Sequence, residues 1–235
     1  MGENPLGALV TKKLVADQVY DILEASIFDG RLKAGSALKV RDIAEMVGTS
    51  VMPVREALRK LEDVGLVTTQ PHKGAVVRTF TTVELINMYD LRIELEKYAA
   101  RLGTPNVTTK DVDRMERSYQ EMWQAVEVHD VAVALDKDEE ILAVVYEAAD
   151  NPFLMEMIEG LWMRTRAFKV IGAREAFKNN DPTLWLPQKR LIEAARTHNV
   201  EEAVSMTYDS LQSARRRLET KIDHDDALAD EWDAR

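Results

Sequence analysis

Apolar residues recur along most of this chain at spacings of three and four, and the places where that rhythm breaks divide it. Val40, Ile43, Ala44 and Val47 share one face of a short predicted helix. Gly48 closes it, because a residue without Cβ turns left-handed at little cost. Thr49 and Ser50 are suited to cap the next helix, and Pro53 falls in its first turn, where a missing N–H does no harm. That helix is predicted over about 52–63, with Val54, Ala57, Leu58 and Leu61 inward and Arg55, Arg59 and Lys60 on the opposite face. Gly65 stops it. Two β-prone runs, 66–69 and 75–77, then flank Gln70-Pro71-His72-Lys73-Gly74, a turn with a basic tip. Upstream, 14–28 reads as a third helix with Leu14, Val15, Val19, Ile22, Leu23 and Ile27 inward, preceded by a tail over 1–11 and followed by a turn over 29–35.

Each piece has a plainer reading by itself. Basic residues often lie on a solvated face, and two short helices around a glycine are common. Their order is what matters: helix, tight turn, basic helix and β-hairpin make a winged helix-turn-helix, small enough to place its second helix in a DNA major groove.

After residue 78 the pattern changes. The linker over 78–82 contains Thr81-x-x-Glu84, a capping box, and no convincing strand follows until about residue 224. Amphipathic helices are predicted over 82–102, 109–129, 131–149, 152–171, 182–197 and 200–222. Asn151-Pro152 and Asp181-Pro182 each put a cap residue before a proline, and Asn199-x-x-Glu202 is another capping box. The segment 174–181 reads as the one longer irregular connection, and 224–235 as an acidic tail. The fold class expected is mainly α: a winged helix-turn-helix over 1–78 and an antiparallel all-α bundle of six or seven helices over 79–235.

Composition adjusts this picture in three ways. With 235 residues, 46% of them apolar, the chain can build two real cores. It has no apolar run of about 18 residues and no basic-then-apolar start, so neither a membrane span nor an export signal is expected. It has no cysteine, which excludes disulfides and thiolate zinc sites and suits a reducing cytoplasm. Net charge is −10, at first sight poor for a DNA partner. Yet residues 1–78 hold 11 Lys/Arg against 10 Asp/Glu, whereas 79–235 hold 20 against 31. A DNA-binding module needs a local basic face, and the excess acid lies in the other half.

The run Met52-Pro53-Val54-Arg55-Glu56-Ala57-Leu58-Arg59-Lys60-Leu61, with Gly65-Leu66-Val67 and Lys73-Gly74-Ala75-Val76-Val77, resembles the N-terminal domain of GntR-type bacterial transcriptional regulators. Leu91-Arg92-Ile93-Glu94-Leu95-Glu96, Ala148-Ala149-Asp150-Asn151-Pro152 and the spacing from Ile192-Glu193-Ala194 to Ala203 resemble the all-helical FCD effector domain of the FadR-type branch. Together they cover roughly 14–222, with looser motifs in the second half. The resemblance implies a short strand near Ala37-Leu38-Lys39 that pairs with the wing. It implies DNA contacts at Arg41, Thr49, Ser50, Met52, Arg55, Arg59, Lys60, His72, Lys73 and Gly74, with Arg55 near the bases and the wing in the minor groove. Val51 stands where the family usually has Arg. Expected partners are a pseudo-palindromic double-stranded operator, a second copy of the chain and a small anionic effector inside the bundle, with repression as the expected mode.

Many members of that branch hold a divalent metal with one Asp and three His. Asp138 stands at the Asp position, but Leu142, Gln188 and a position at or near Asp209 replace the imidazoles. No transition metal and no cofactor is therefore expected, although oxygen ligands could still hold a hard cation. His72, His129, His198 and His224 fall in the wing, at helix ends and in the tail. On the first bundle helix Leu85, Met88, Leu91, Leu95 and Ala99 are predicted inward with Arg92 flanking them. An arginine beside an apolar face needs a carboxylate. Asp138, Asp209, an acidic ligand or a route to solvent are the alternatives. Arg164 and Arg166 flank another helix face, and Met155, Met157, Trp162, Met163 and Trp185 could line an adaptable pocket or simply fill the core.

Two rivals have less support. An enzyme would need a nucleophile, phosphate loop or metal-spaced histidines, and no such motif occurs. An architectural DNA-binding protein without an effector would call for a fully apolar bundle core.

Overall fold

Two left-handed glycines frame the N-terminal half. Gly48 at φ 71° and Gly65 at φ 80° turn the chain where a side chain would be strained. At the first turn, the N–H groups of Gly48 and Thr49 reach back to the carbonyls of Glu45 (3.3 Å) and Ala44 (2.9 Å). The computed structural model describes residues 14–28, 30–70 and 74–233. The chain divides into two units between Arg78 and Thr79.

The first unit consists of α1 (Val15–Phe28), β1 (Ala37–Leu38), α2 (Val40–Val47), α3 (Val51–Asp63), β2 (Val67–Gln70) and β3 (Gly74–Val77). The strands form one antiparallel sheet in the order β1-β3-β2, with Ala37 opposite Val76 and Val67 opposite Val77. The expected short strand is β1. As expected, α3 buries Val54, Ala57, Leu58 and Leu61, which pack under α1 and α2. Its N-cap is Ser50, but the hydroxyl makes no cap hydrogen bond.

The inward face of α1 differs from the expected one. Leu14, Val15 and Ile22 are exposed, while Ala16, Val19, Leu23, Ser26 and Ile27 are buried. Hydrophobicity misplaces the face because two of its members are small. Ser26 is tolerated inside because its hydroxyl donates to the Ile22 carbonyl at 2.7 Å.

The second unit is an all-α bundle of α4 (Thr82–Gly103), α5 (Thr109–Glu127), α6 (Val131–Glu147), α7 (Pro152–Lys178), α8 (Pro187–Arg196) and α9 (Val200–Asp233), with short 3-10 turns at Thr104–Asn106 and Pro182–Leu184. Thr81 and Glu84 form the predicted capping box, and Thr108 with Asp111 forms a second. Asn151 and Asn199 cap the backbone N–H groups of Leu154 and Glu202, both at 3.1 Å.

Three boundaries moved. α7 runs through the segment expected to be irregular, because residues 172–178 bury Ala173, Ala176 and Phe177, and Asn180 then turns left-handed at φ 51°. The next helix starts at Pro187 rather than Pro182, the latter heading only a 3-10 turn. α9 continues through most of the expected tail.

α4 packs along α9, and α5 along α6. Where α4 ends it approaches α6 closely: a Cβ on Gly103 would lie 1.8 Å from the Val145 carbonyl oxygen. Backbone cannot retreat as a flexible side chain can. Gly103→Ala should therefore destabilise the bundle by about 3 kcal/mol, at the upper end of overpacking costs, and lower its melting temperature by roughly 10 °C. Calorimetry of the purified variant checks this, and an unchanged melting temperature contradicts the packing.

Candidate functional site

Two surfaces carry chemistry, one in each unit. On the first, α3 shows its outer face to solvent. Met52, Arg55 and Arg59 are exposed at spacings of three and four, so they form one stripe along the helix. Arg55 and Arg59 make no hydrogen bond or ion pair among the described residues. Arg41 at the start of α2 is likewise exposed, as are Ser50 and Gly74, and Thr49 is half-buried. His72 and Lys73 lie outside the described residues. Lys60 departs from expectation. It points to the α1 side of α3, where its ammonium pairs with Asp17, so it braces two helices of the unit instead of extending the stripe.

The second surface is internal. A cavity of about 340 Å³ opens among α4, α6, α7, α8 and α9. Its floor is a buried ion pair: Arg92 Nε donates to Glu96 Oε1 at 2.7 Å, one turn along α4. Glu96 also accepts from Trp162 Nε1 at 2.9 Å and from the Tyr146 hydroxyl at 3.3 Å. Arg92 donates in addition to Thr165 Oγ1 at 3.1 Å, and its guanidinium lies 5.0 Å from the Tyr89 ring centre. Burial disfavours the charged guanidinium, but the Glu96 carboxylate more than offsets this and holds Arg92 above its ordinary pKa. Burial first, and then Glu96, push the Tyr146 hydroxyl well above the usual tyrosine range, so it remains a neutral donor.

A second charge set forms the wall. Lys169 Nζ lies 2.9 Å from Asp138 Oδ2 and 3.2 Å from Glu139 Oε1. Burial pulls its pKa down, the two carboxylates pull harder the other way, and the net shift is upward. Arg166 binds the far side of Glu139 at 2.6 Å and also pairs with Asp136. Gln188 Nε2 donates to the other oxygen of Asp138. Two buried polar atoms on the cavity residues have no hydrogen-bond partner: Trp185 Nε1 and Gln188 Oε1.

Of the expected effector residues, the cavity gathers Arg92, Asp138, Leu142 and Gln188. Two are misplaced. Arg164 donates to the Gly160 carbonyl of its own helix at 2.8 Å and does not line the cavity. Asp209 is exposed on α9 near Ser205, and Thr207 and Ser210 face inward from that helix instead. The slip is one residue, enough to rotate a helical side chain by about 100°. On α4 the buried face is Tyr89, Arg92, Ile93, Glu96, Ala99 and Ala100, and Leu91 is exposed. Arg92 is thus central to that face, and the carboxylate in contact with it is Glu96 rather than Asp138 or Asp209. An i, i+4 Arg–Glu spacing was the signal for this pair. Lys169 and Tyr146 had none, because their partners lie far away in sequence.

The donors also do not suit the divalent metal implied by the fold. Asp138 is already engaged by an ammonium and an amide, Leu142 has no donor atom, and no imidazole reaches the cavity lining. Among the described residues no three His, Cys, Asp or Glu side chains cluster as a metal site. Nor is any described helix long and apolar enough to cross a membrane.

Each unit matches a known family. Residues 15–77 match the family model "Bacterial regulatory proteins, gntR family", and residues 87–231 match the FCD domain. The HTH-type transcriptional regulator McbR of Escherichia coli K12 is 31% identical over 147 residues, 63% of this chain and 66% of that protein. The "Probable D-xylose utilization operon transcriptional repressor" of Paenarthrobacter nicotinovorans is 30% identical over 209 residues, 86% of this chain and 92% of that protein. The solved structure of E. coli McbR superposes with a TM-score of 0.76 at 25% identity, covering 90% of this chain and 100% of that one. These relatives are transcription regulators, not enzymes. GntR regulators bind DNA and FCD domains bind small effectors. With a winged unit that exposes an arginine stripe and a helical unit with a polar cavity, each matching its family model, this chain is a transcriptional regulator of the GntR family carrying an FCD domain.

Proposed function

We propose that this protein is a repressor that binds a pseudo-palindromic operator as a homodimer in the cytoplasm, its operator affinity set by a small molecule held in the cavity of the helical unit. The observation that carries the DNA half is the stripe of Met52, Arg55 and Arg59, solvent-facing and, among the described residues, without internal partners for either arginine. Structural arginines are normally paired, so a row left free on a helix of groove-fitting size is suited to base edges and phosphates. The interior supports the effector half. A bundle serving only as an architectural scaffold would be filled with apolar side chains, whereas this one has charged pairs and unsatisfied polar atoms around a void. Repression is favoured because a relative matching 86% of the chain is itself named a probable transcriptional repressor.

In this reading Arg55 meets the bases, and Arg41 and Arg59 meet phosphates. Arg55→Ala should weaken operator binding by about 1–3 kcal/mol and relax selection at one base pair. Arg41→Ala should lower the salt dependence of binding by about one unit, with little change in sequence preference. Lys60→Ala, which acts on α1, should leave that slope unchanged. Fluorescence anisotropy over a salt series with the promoter of the protein's own gene measures all three. Operator binding by Arg55→Ala with wild-type affinity and selectivity would contradict the docking.

One recognition helix covers only half a site, and two-fold symmetry supplies the other half. Sedimentation velocity at micromolar concentration should show a dimer, and two copies per operator duplex. A species that stays monomeric with and without DNA would rule the proposal out.

A further inference from the structure

We infer that the cavity takes an uncharged, hydroxyl-rich ligand of about the size of a pentose or hexose, which accepts a hydrogen bond from Trp185 Nε1 and donates one to Gln188 Oε1. This rests on the reading of the cavity as the effector site and specifies what enters it.

The first argument is the charge already present. The lining holds three cations: the buried Arg92 and Lys169 each have a carboxylate in direct contact, Glu96 and Asp138, while Arg217 is exposed and donates to Ser213 Oγ at 3.1 Å. Lys169 has a second in Glu139. No buried positive charge is in surplus, and the four carboxylates of the lining, Glu96, Asp138, Glu175 and Asp181, outnumber its three cations. For a carboxylate ligand to take Arg92 it must displace Glu96, which is also held by Trp162 and Tyr146. That would strand one buried anion to satisfy another, and an uncompensated buried charge costs far more than one hydrogen bond returns. An uncharged ligand leaves both pairs intact.

The second argument is the polarity of what is left unsatisfied. Trp185 offers a donor and Gln188 an acceptor, on residues only 1% and 6% exposed that both line the cavity. The Gln188 amide cannot simply be turned to hide its oxygen, because its nitrogen serves Asp138. A carboxylate can only accept and an ammonium can only donate, so each would leave one of the two atoms orphaned. A hydroxyl does both. Thr207 and Ser210 add further hydroxyls from α9. A volume of about 340 Å³ is at the small end of ligand pockets, which suits a compact molecule.

The test uses the full-length protein and isothermal titration with the aldopentoses and aldohexoses, each paired with its own aldonate at the same pH and ionic strength. At least one sugar should bind, about tenfold or more tighter than its aldonate. Trp185→Phe and Gln188→Met, each removing one of the two groups, should weaken that sugar by about tenfold, the value of one hydrogen bond. Thermal melts of both variants establish that they are folded, and the sugar–acid comparison in the unaltered protein stands without them. The inference is overturned by an aldonate that binds as tightly as its sugar, by no binding anywhere in the panel, or by a sugar whose affinity neither variant changes. The first, if the aldonate also shifts operator affinity, leaves the effector-site reading standing. A bound sugar unaffected by Leu142→Trp, which fills the cavity, would instead put the site elsewhere and overturn that reading too.

Discussion

The bundle is organised by one charge pair. Arg92 and Glu96 lie one turn apart on α4, both almost wholly buried, and neither can be inside without the other. Glu96 then recruits Tyr146 from α6 and Trp162 from α7, while Arg92 recruits Thr165 from α7. Three helices are thereby fixed around a polar centre rather than an apolar one. Close packing cannot proceed around such a centre as it does around leucines, and the space left over is the cavity. The Asp138–Lys169–Glu139 set repeats the arrangement on the neighbouring wall, with each carboxylate held by a cation on α7.

The DNA-binding unit follows the opposite logic. Its core is apolar, and its cations are on the outside. Asp17 holds Lys60, but no such partner reaches Arg41, Arg55 or Arg59 among the described residues. Free surface cations are a neutral matter for stability, since a surface pair is worth at most about 1 kcal/mol. Left unpaired, they keep their charge available for phosphate. The partition of charge along the chain has the same effect, with the acid excess confined to residues 79–235.

How much of this could be read from the sequence depended on whether the relevant signal was local. The helices, the hairpin, Gly48 and the capping boxes depend on neighbours a few residues away, and these were legible. The inward face of α3 was legible too, since it is made of large apolar residues. The α1 and α4 faces were not, because Ala16 and Ser26 are small and Arg92 and Glu96 are charged, and a ranking by hydrophobicity turns such faces outward. Pro182 promised a helix that Pro187 begins. The cavity was half legible: Arg92, Asp138, Leu142 and Gln188 were identified from the resemblance, but Lys169 pairs across 31 positions and carries no local mark. Asp209 failed by a single residue of register.

The central claim is that the interior charges of the bundle neutralise one another before any ligand arrives. It is tested most directly by a double-mutant cycle on Arg92 and Glu96, measured by urea unfolding of the ligand-free protein. The account predicts that Arg92→Met and Glu96→Leu each cost about 3–5 kcal/mol, because each strands a buried charge, and that the double variant costs far less than their sum. Additive losses, or a single variant as stable as the wild type, would show that the two side chains do not depend on each other and would contradict the account.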